Sequence, residues 1–156
     1  MTSASASISI LLGRLAGTQV GFSASAIREI LRSVAIAPLP GAPAIIEGAI
    51  NLHGRIVPVV DLRQRLALPT LSNSPDQFLV LLAASDRLIA IRVEEVDDVI
   101  EIAAADLSAP SALSPVLPRL AGVAAIASGA LVIYDADAFL SQAERDTLDA
   151  VETAAA

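Results

Sequence analysis

His53 is the single histidine of this 156-residue chain, and its side chain is the first candidate for chemistry. An imidazole that titrates near neutral pH acts as the general base for a serine when a carboxylate orients it. Because Ser and Asp residues are plentiful, an esterase-like arrangement through His53 stays open. The chain has no nucleophile elbow, and a lone His beside a Gly turn is typical of a solvated surface residue. A catalytic role would require a hydrolysis rate that disappears in His53→Ala.

Carboxylates form the second candidate set, at Glu94-Glu95 and Asp97-Asp98. Paired carboxyl groups serve general acid–base catalysis, but these alternate with valines and indicate the solvated rim of an apolar stripe. One His and no Cys leave no two-His zinc set and no thiolate site. Neither GxGxxG nor GxxxxGK[ST] occurs, so no phosphate loop is visible. We therefore predict that the chain is not an enzyme and that it uses no cofactor or metal.

The charge and hydropathy of the chain limit the classes of partner that it can bind. The net charge is −7 and all ten basic residues are Arg without a basic cluster, so nucleic acid and anionic membranes are poor partners. Hydrophobic residues make up 54% of the chain, but its longest uncharged stretch, residues 120–134, contains Ser128-Gly129 and is shorter than the ~20 residues of a membrane-spanning helix. Residues 1–7 show no secretory signal. We predict a cytoplasmic protein.

The side chain of His53 must be positioned by a hairpin. Residues 50–60 place apolar, strand-like runs on both sides of His53-Gly54, and Asp61 follows as a polar cap before residues with helical spacing. Gly in the turn supplies the backbone conformation that a tight hairpin requires. The pattern predicts two antiparallel strands followed by a short helix.

The same unit recurs later in the chain. From Gly48 onward, positions match others 74 residues later in the chain, and the earlier positions match others 69 residues later. A short insertion in the loop at 108–118 accounts for the difference. We predict copy one at about residues 8–68 and copy two at about 77–140; a chance match of apolar strands is the alternative. The matched pairs are Leu12/Leu81, Phe22/Ile91, Ile27/Val96, Ile30/Val99, Leu31/Ile100, Gly48/Gly122, Leu52/Ile126, Val57/Leu131, Val59/Ile133, Asp61/Asp135 and Leu66/Leu140.

The remaining pattern predicts mostly strands. Residues 9–15 and 19–22 form one hairpin, and residues 78–83 and 88–93 form another about Ala84-Ser85-Asp86. Apolar residues at 26, 27, 30 and 31 have helical spacing and predict a short amphipathic helix.

Three further segments complete the pattern. Residues 93–102 are compatible with either a helix or a strand, and the proline-containing residues 108–118 indicate a loop. Ser141 and Glu144 form a capping box for a terminal helix that reaches Val151.

At residues 46–63, Ile-Glu-Gly-Ala-Ile-Asn-Leu-His-Gly-Arg-Ile-Val-Pro-Val-Val-Asp-Leu-Arg, the chain resembles the signature of the CheW family of bacterial chemotaxis coupling proteins. The resemblance extends from about Ile8 to Ala150. It implies a single CheW-like domain over residues 1–156, mainly β, with two small SH3-like five-stranded β-barrels around a shared core. Short helices and a C-terminal helix, which contributes to the first subdomain, complete it.

The resemblance also implies a function and partners. Family members are non-enzymatic adaptors that couple the cytoplasmic tips of chemoreceptors, the methyl-accepting chemotaxis proteins, to the regulatory domain of a chemotaxis histidine kinase, and they assemble into rings and arrays. By the same resemblance, this chain would be associated with the membrane through receptor arrays. Two alternatives stay open: an adaptor of a divergent chemosensory system, such as one controlling type IV pili, and a small barrel that binds a hydrophobic ligand.

The residues expected to contact partners follow from the same resemblance. Two of them lie after the first hairpin and four lie in the signature. At His53 the chain departs from the family, which usually has Arg there, so a charged contact at this position is in doubt. Packing at Ile27 and turn geometry at the glycines and the asparagine are the alternative roles. The six residues are Ile27, Glu29, Gly48, Asn51, His53 and Gly54.

Overall fold

The fold is built almost entirely from short antiparallel strands. The computed structural model describes residues 7–84, 87–108, 120–126, 129–134, 136 and 139–155. Outside these residues lie most of the loop predicted at 108–118 and residues 85, 86, 127, 128 and 135, which belong to predicted turns and a cap. The described strands are β1 Ser7–Leu15, β2 Thr18–Ser23, β3 Ile27–Arg32, β4 Ile46–Leu52, β5 Arg55–Val60, β6 Phe78–Ala84, β7 Arg87–Val93, β8 Glu95–Ala103, β9 Leu107–Ser108, β10 Leu120–Ile126 and β11 Gly129–Tyr134.

Two α-helices accompany the strands within the described residues. Helix α1, Leu62–Arg65, begins after Asp61, whose carboxylate accepts a hydrogen bond from the backbone N–H of Gln64. Helix α2, Gln142–Ala155, begins with the predicted capping box, in which Ser141 and Glu144 each accept the other's backbone N–H. In the described part of the chain, neither helix is long and apolar enough to cross a membrane.

The strands form two sheets, and each sheet takes strands from both sequence copies. One sheet has the order β8-β1-β2-β11-β10-β9, and the other has the order β3-β6-β7-β5-β4. The first hairpin of each copy is therefore inserted beside strands of the other copy. The sheets do not coincide with residues 8–68 and 77–140, because each copy supplies strands that complete the other sheet.

The strand registers confirm the internal repeat. Strand β2 pairs in parallel with β11 through Gly21 and Ile133, and β7 pairs in parallel with β5 through Ala90 and Val59. The repeat matches Gly21 to Ala90 and Val59 to Ile133, so the two parallel pairs are equivalent. Bulges also recur, because the equivalent strands β4 and β10 both shift register directly after their first residue. The two copies thus share both their parallel strand pairing and the position of this bulge.

Apolar side chains fill three clusters. One cluster lies between the sheets and includes Phe22 from β2, Ile91 from β7 and Phe139 before α2. A second is formed by strands of the first sheet and a third by strands of the second sheet. This arrangement, with one interior for each sheet and one cluster shared by both, confirms the prediction of a mainly β fold with two small β-units around a shared core. The second sheet has the predicted five strands, whereas the first has six because the two-residue strand β9 pairs with β10.

The helix predicted across residues 26–31 is wrong. The chain forms a 3-10 turn at Ala24–Ala26 and then strand β3, which pairs antiparallel with β6. A bulge between Ile27 and Glu29 places one additional residue in β3. This residue interrupts the strict alternation of a strand, and the resulting apolar spacing imitates a helix. Most of the ambiguous segment at 93–102 is also a strand, because Val93 ends β7 and β8 begins at Glu95.

Arg63 joins the short helix α1 to the junction between β7 and β8. Its buried guanidinium donates to the Glu94 carboxylate, with an Nη2–Oε1 distance of 2.8 Å. The same carboxylate accepts the backbone N–H of Ala16 in the β1–β2 turn. The hydrogen bond from Arg63 lowers the pKa of Glu94 below its ordinary value of 4.5. The Glu94 side chain thereby connects α1 with elements of both sheets.

Protonation of Glu94 should weaken this junction. Because the folded-state pKa is lowered, the stabilisation is present above the unfolded pKa and is lost as the pH falls through the folded pKa. At pH 7 we expect Glu94→Gln to lower the free energy of unfolding by about 1–2 kcal/mol, and we expect this difference to shrink below pH ~4. Urea denaturation from pH 7 to 3 measures it.

Glu95→Gln is the matched control for this experiment. The Glu95 side chain is 64% exposed and pairs with Arg14 at 3.3 Å, so its loss should cost about 0–1 kcal/mol. A Glu94→Gln difference that stays constant between pH 7 and 3 would contradict the stabilising role assigned to the carboxylate.

Candidate partner-binding surface

The signature hairpin ends in a two-residue turn at His53-Gly54. Their φ angles are 52° and 84°, the values of a type I′ turn, which matches the twist of the flanking strands. The Asn51 side-chain oxygen accepts the backbone N–H of Gly54 at 2.8 Å. Gly54 is needed because a side chain at this φ would be strained, although a Cβ there would meet no atom within 4 Å. Asn51 and Gly54 therefore fix the shape of the turn.

His53 occupies the other turn position and is exposed to solvent. Its positive φ is unusual for a side chain other than Gly, and His is among the residues that tolerate this region best. Among the described residues, the imidazole has no hydrogen-bond partner or paired carboxylate. The hairpin thus presents the ring at its tip without the orienting groups that a catalytic base needs.

Gly48 is a packing position within β4 and is buried. A Cβ at this residue would lie 2.2 Å from the backbone oxygen of Ala37 and 2.8 Å from Cγ2 of Ile36. The close approach allows Ala37 and Ala49 to exchange two backbone hydrogen bonds of 2.8 and 2.9 Å. Gly48 therefore permits the segment after β3 to reach β4, and its own atoms are covered by that segment.

Strand β3 carries the other two predicted residues. Ile27 is partly buried and packs against the shared core, whereas Glu29 is exposed at the edge of its sheet. Ile30, which the helical pattern placed on a buried face, is 40% exposed. Within the described residues, no hydrogen bond or ion pair joins Glu29 to His53. The six predicted residues therefore comprise an exposed strand edge, an exposed hairpin tip and a buried glycine.

A groove of about 460 Å³ lies beside the hairpin tip. Residues of β5 and β7 line one side and α2 lines the other. Across the groove, the Arg87 guanidinium pairs with Asp149 and lies 3.4 Å from a Glu152 carboxylate oxygen. This groove could not be predicted from the sequence, because the hairpin and the terminal helix are distant in the chain. The lining residues are Gly54, Arg55, Ile56, Arg87, Leu88, Asp149 and Glu152.

Within the described ranges, no group of three metal-ligating residues occurs. Glu94 binds Arg63, and Glu95 and Asp97 lie close to Arg14 at 3.3 and 3.6 Å.

Comparison with known protein families gives one match that covers both sheets and the hairpin. The profile of the CheW-like domain matches residues 9–144, which include both sheets and the signature hairpin. The chain belongs to the CheW-like family. The family resemblance of the signature is thereby confirmed over most of the chain.

Individual CheW proteins are similar along most of their length. The chain is 28% identical to the chemotaxis protein CheW of Klebsiella aerogenes over 143 residues, covering 90% of this chain and 86% of the relative. It is 26% identical to the chemotaxis protein CheW of Rhizobium meliloti over 123 residues, covering 78% and 79%. The crystal structure of the scaffolding protein TtCheW from Thermoanaerobacter tengcongensis matches with a TM-score of 0.75 and 25% identity, covering 83% of this chain and 90% of that one.

Proposed function

We propose that this CheW-like chain is a chemotaxis adaptor that couples chemoreceptors to a histidine kinase and performs no chemistry itself. Its relatives are named chemotaxis proteins, and the similar solved structure is described as a scaffolding protein. The observation that carries the proposal is the signature hairpin, which lies within the matched residues 9–144 and presents a rigid, exposed tip. The proposed partners are the regulatory domain of the kinase and the cytoplasmic tip of a receptor.

The hydrogen bonds that fix the shape of the hairpin support the adaptor role. The turn of the hairpin is locked by Asn51, and the base of the hairpin is fixed where Ala37 pairs with Ala49. A binding surface that is ordered before the partner arrives loses little conformational entropy on association. We assign Asn51, Gly48 and Gly54 to shaping this surface, and His53 and Glu29 to direct contact.

Ile27 supports the proposed binding surface indirectly. Its side chain packs on the shared core and therefore sets the position of β3, while Glu29 and Ile30 are among the exposed residues of the strand. Exposed apolar side chains supply the energy of an interface, and rim charges add association rate and specificity. We place the adaptor in the cytoplasm at receptor arrays, where many weak contacts act together.

Reversing the charge of Glu29 tests the contribution of this strand. We expect Glu29→Arg to weaken binding to one of the two proposed partners about 10-fold, since a rim charge becomes repulsive toward the same partner group. Surface plasmon resonance with the purified kinase regulatory domain and the purified receptor tip from the same organism measures the affinities.

Asp146→Arg provides the matched control, because Asp146 is an exposed acid on α2 and its reversal changes the net charge equally. We expect its affinities to stay within about 2-fold of wild type for both partners. Equal affinities for wild type and Glu29→Arg would remove Glu29 from the interface, and absence of binding by the wild type would overturn the adaptor function.

A further inference from the structure

Arg55 differs from the other described arginines because its guanidinium has no polar or aromatic partner among the described residues. Arg119 lies outside the described residues, and within them Arg55 has no hydrogen bond, ion pair or aromatic partner. Each of the others has a partner among carboxylates, backbone oxygens or an aromatic ring. These engaged residues are Arg14, Arg28, Arg32, Arg63, Arg65, Arg87, Arg92 and Arg145.

Arg55 lies next to exposed apolar surface on the hairpin. Arg55 opens strand β5 directly after the turn, where it pairs with Leu52 across the hairpin. Both Arg55 and the next residue, Ile56, are exposed, and Ile56 keeps 40% of its surface accessible. The two side chains line the groove beside the hairpin, together with Leu88 of β7. A cation and an apolar surface are thereby offered next to each other on a rigid element.

The carboxylates on the opposite wall of the groove are already paired with another arginine. Asp149 and Glu152 share the Arg87 guanidinium, whose side chain is only 13% exposed. Arg55 is not engaged by these carboxylates, although it lines the same groove. Guanidinium groups recognise carboxylates through two parallel hydrogen bonds, and an arginine beside an apolar surface is a frequent anchor in protein interfaces.

We propose that Arg55 and Ile56 anchor an acidic protein segment that presents a carboxylate beside an apolar side chain, with the apolar group entering the groove over Leu88. Its volume of about 460 Å³ lies within the range of about 300–1,000 Å³ that is typical of binding pockets. This inference rests on the proposed adaptor function, because it assigns the charge that one of the two partners meets at the hairpin. The specificity of the hairpin then lies in the first residues of β5 as well as in its turn.

Substitution of Arg55 tests the proposal on the full chain. Arg55→Gln removes the charge at an exposed side chain that has no hydrogen bond or ion pair among the described residues, so the fold should be unchanged. We expect affinity for either the kinase regulatory domain or the receptor tip to fall about 10- to 100-fold, the usual range for a charge-assisted contact. We also expect the salt dependence of that affinity to become weaker between about 50 and 500 mM NaCl.

Arg14→Gln is the matched control: it makes the same substitution in the other sheet and changes the net charge equally. We expect this variant to bind both partners within about 2-fold of wild type. Ile56→Thr tests the apolar part, and it should weaken binding of the same partner without changing its salt dependence.

Three results would overturn the proposal. The first is an Arg55→Gln variant that binds both partners as tightly as wild type, including the case in which only its stability falls because Arg55 pairs with α2 in solution. The second is a loss of affinity in Arg14→Gln equal to that in Arg55→Gln. The third is a wild-type chain that binds neither partner, which would overturn the adaptor function as well, whereas the first two leave that function standing.

Discussion

Replacing Phe139 with Ala should lower the free energy of unfolding by about 3–5 kcal/mol, the usual cost of removing a fully buried aromatic ring. The Phe139 side chain is 0% exposed and lies in the cluster shared by both sheets. Its ring meets Phe22 edge-on with centroids 6.5 Å apart, and its centroid is 6.1 Å from that of Tyr134. Loss of the ring removes these contacts and leaves a cavity where the two sheets meet.

Urea denaturation followed by circular dichroism measures this loss. Val99→Ala is the control, because Val99 is apolar but 55% exposed, and its truncation should cost no more than about 0.5 kcal/mol. Small domains are stabilised by only about 5–15 kcal/mol in total, so Phe139→Ala should remove at least about a fifth of the stability and clearly lower the urea midpoint. Similar midpoints for the two variants would contradict a shared core organised around Phe139.

Gly48→Ala should destabilise the second sheet by about 3 kcal/mol, at the upper end of the usual cost of overpacking. The new methyl group would meet the backbone oxygen of Ala37 at 2.2 Å, and backbone cannot move aside as a flexible side chain would. We expect the strand pairing between Ala37 and Ala49 to open, which should appear as faster hydrogen exchange of their amides.

Gly17→Ala separates this steric effect from glycine's conformational freedom. Gly17 has a φ of 77°, but a Cβ there would meet no atom within 4 Å. Its substitution should cost about 1–2 kcal/mol through backbone strain alone. If Gly48→Ala costs no more than Gly17→Ala, the close approach of the segment at Ala37 is not what Gly48 serves. If a Gly48 variant binds its partners less tightly, we expect its free energy of unfolding to be lower as well.

Much of the fold could be predicted because the sequence repeats itself. Matched positions such as Gly48 and Gly122 lie at equivalent bulges in the strand registers, and the hairpins follow from local alternation. The exchange of strands between copies could not be predicted, since a local pattern defines a hairpin but does not select its neighbour in a sheet. Strand β3 has the apolar spacing of a helix because the bulge near Ile27 alters its period.

The candidate site was predictable only in part. Asn51 and Gly54 stand at the spacing that a hydrogen-bonded turn requires, and the structure shows the bond. Arg55 and Ile56 carry no comparable signal, because Ile56 begins an apolar run that is typical of a fully buried strand. They line a groove whose other wall is helix α2, which is distant from them in the chain. The signature implies partner contact at Gly48, although the surroundings of this glycine are intramolecular.

Formation of a ternary complex tests the adaptor function most directly. The purified kinase regulatory domain, the purified receptor tip and this chain would be mixed and analysed by size-exclusion chromatography with multi-angle light scattering. We expect a species that contains all three proteins, and we expect the kinase domain and the receptor tip to elute separately when the chain is omitted. Coelution of those two without the chain, or binding of the chain to only one of them, would contradict a role as the coupling adaptor.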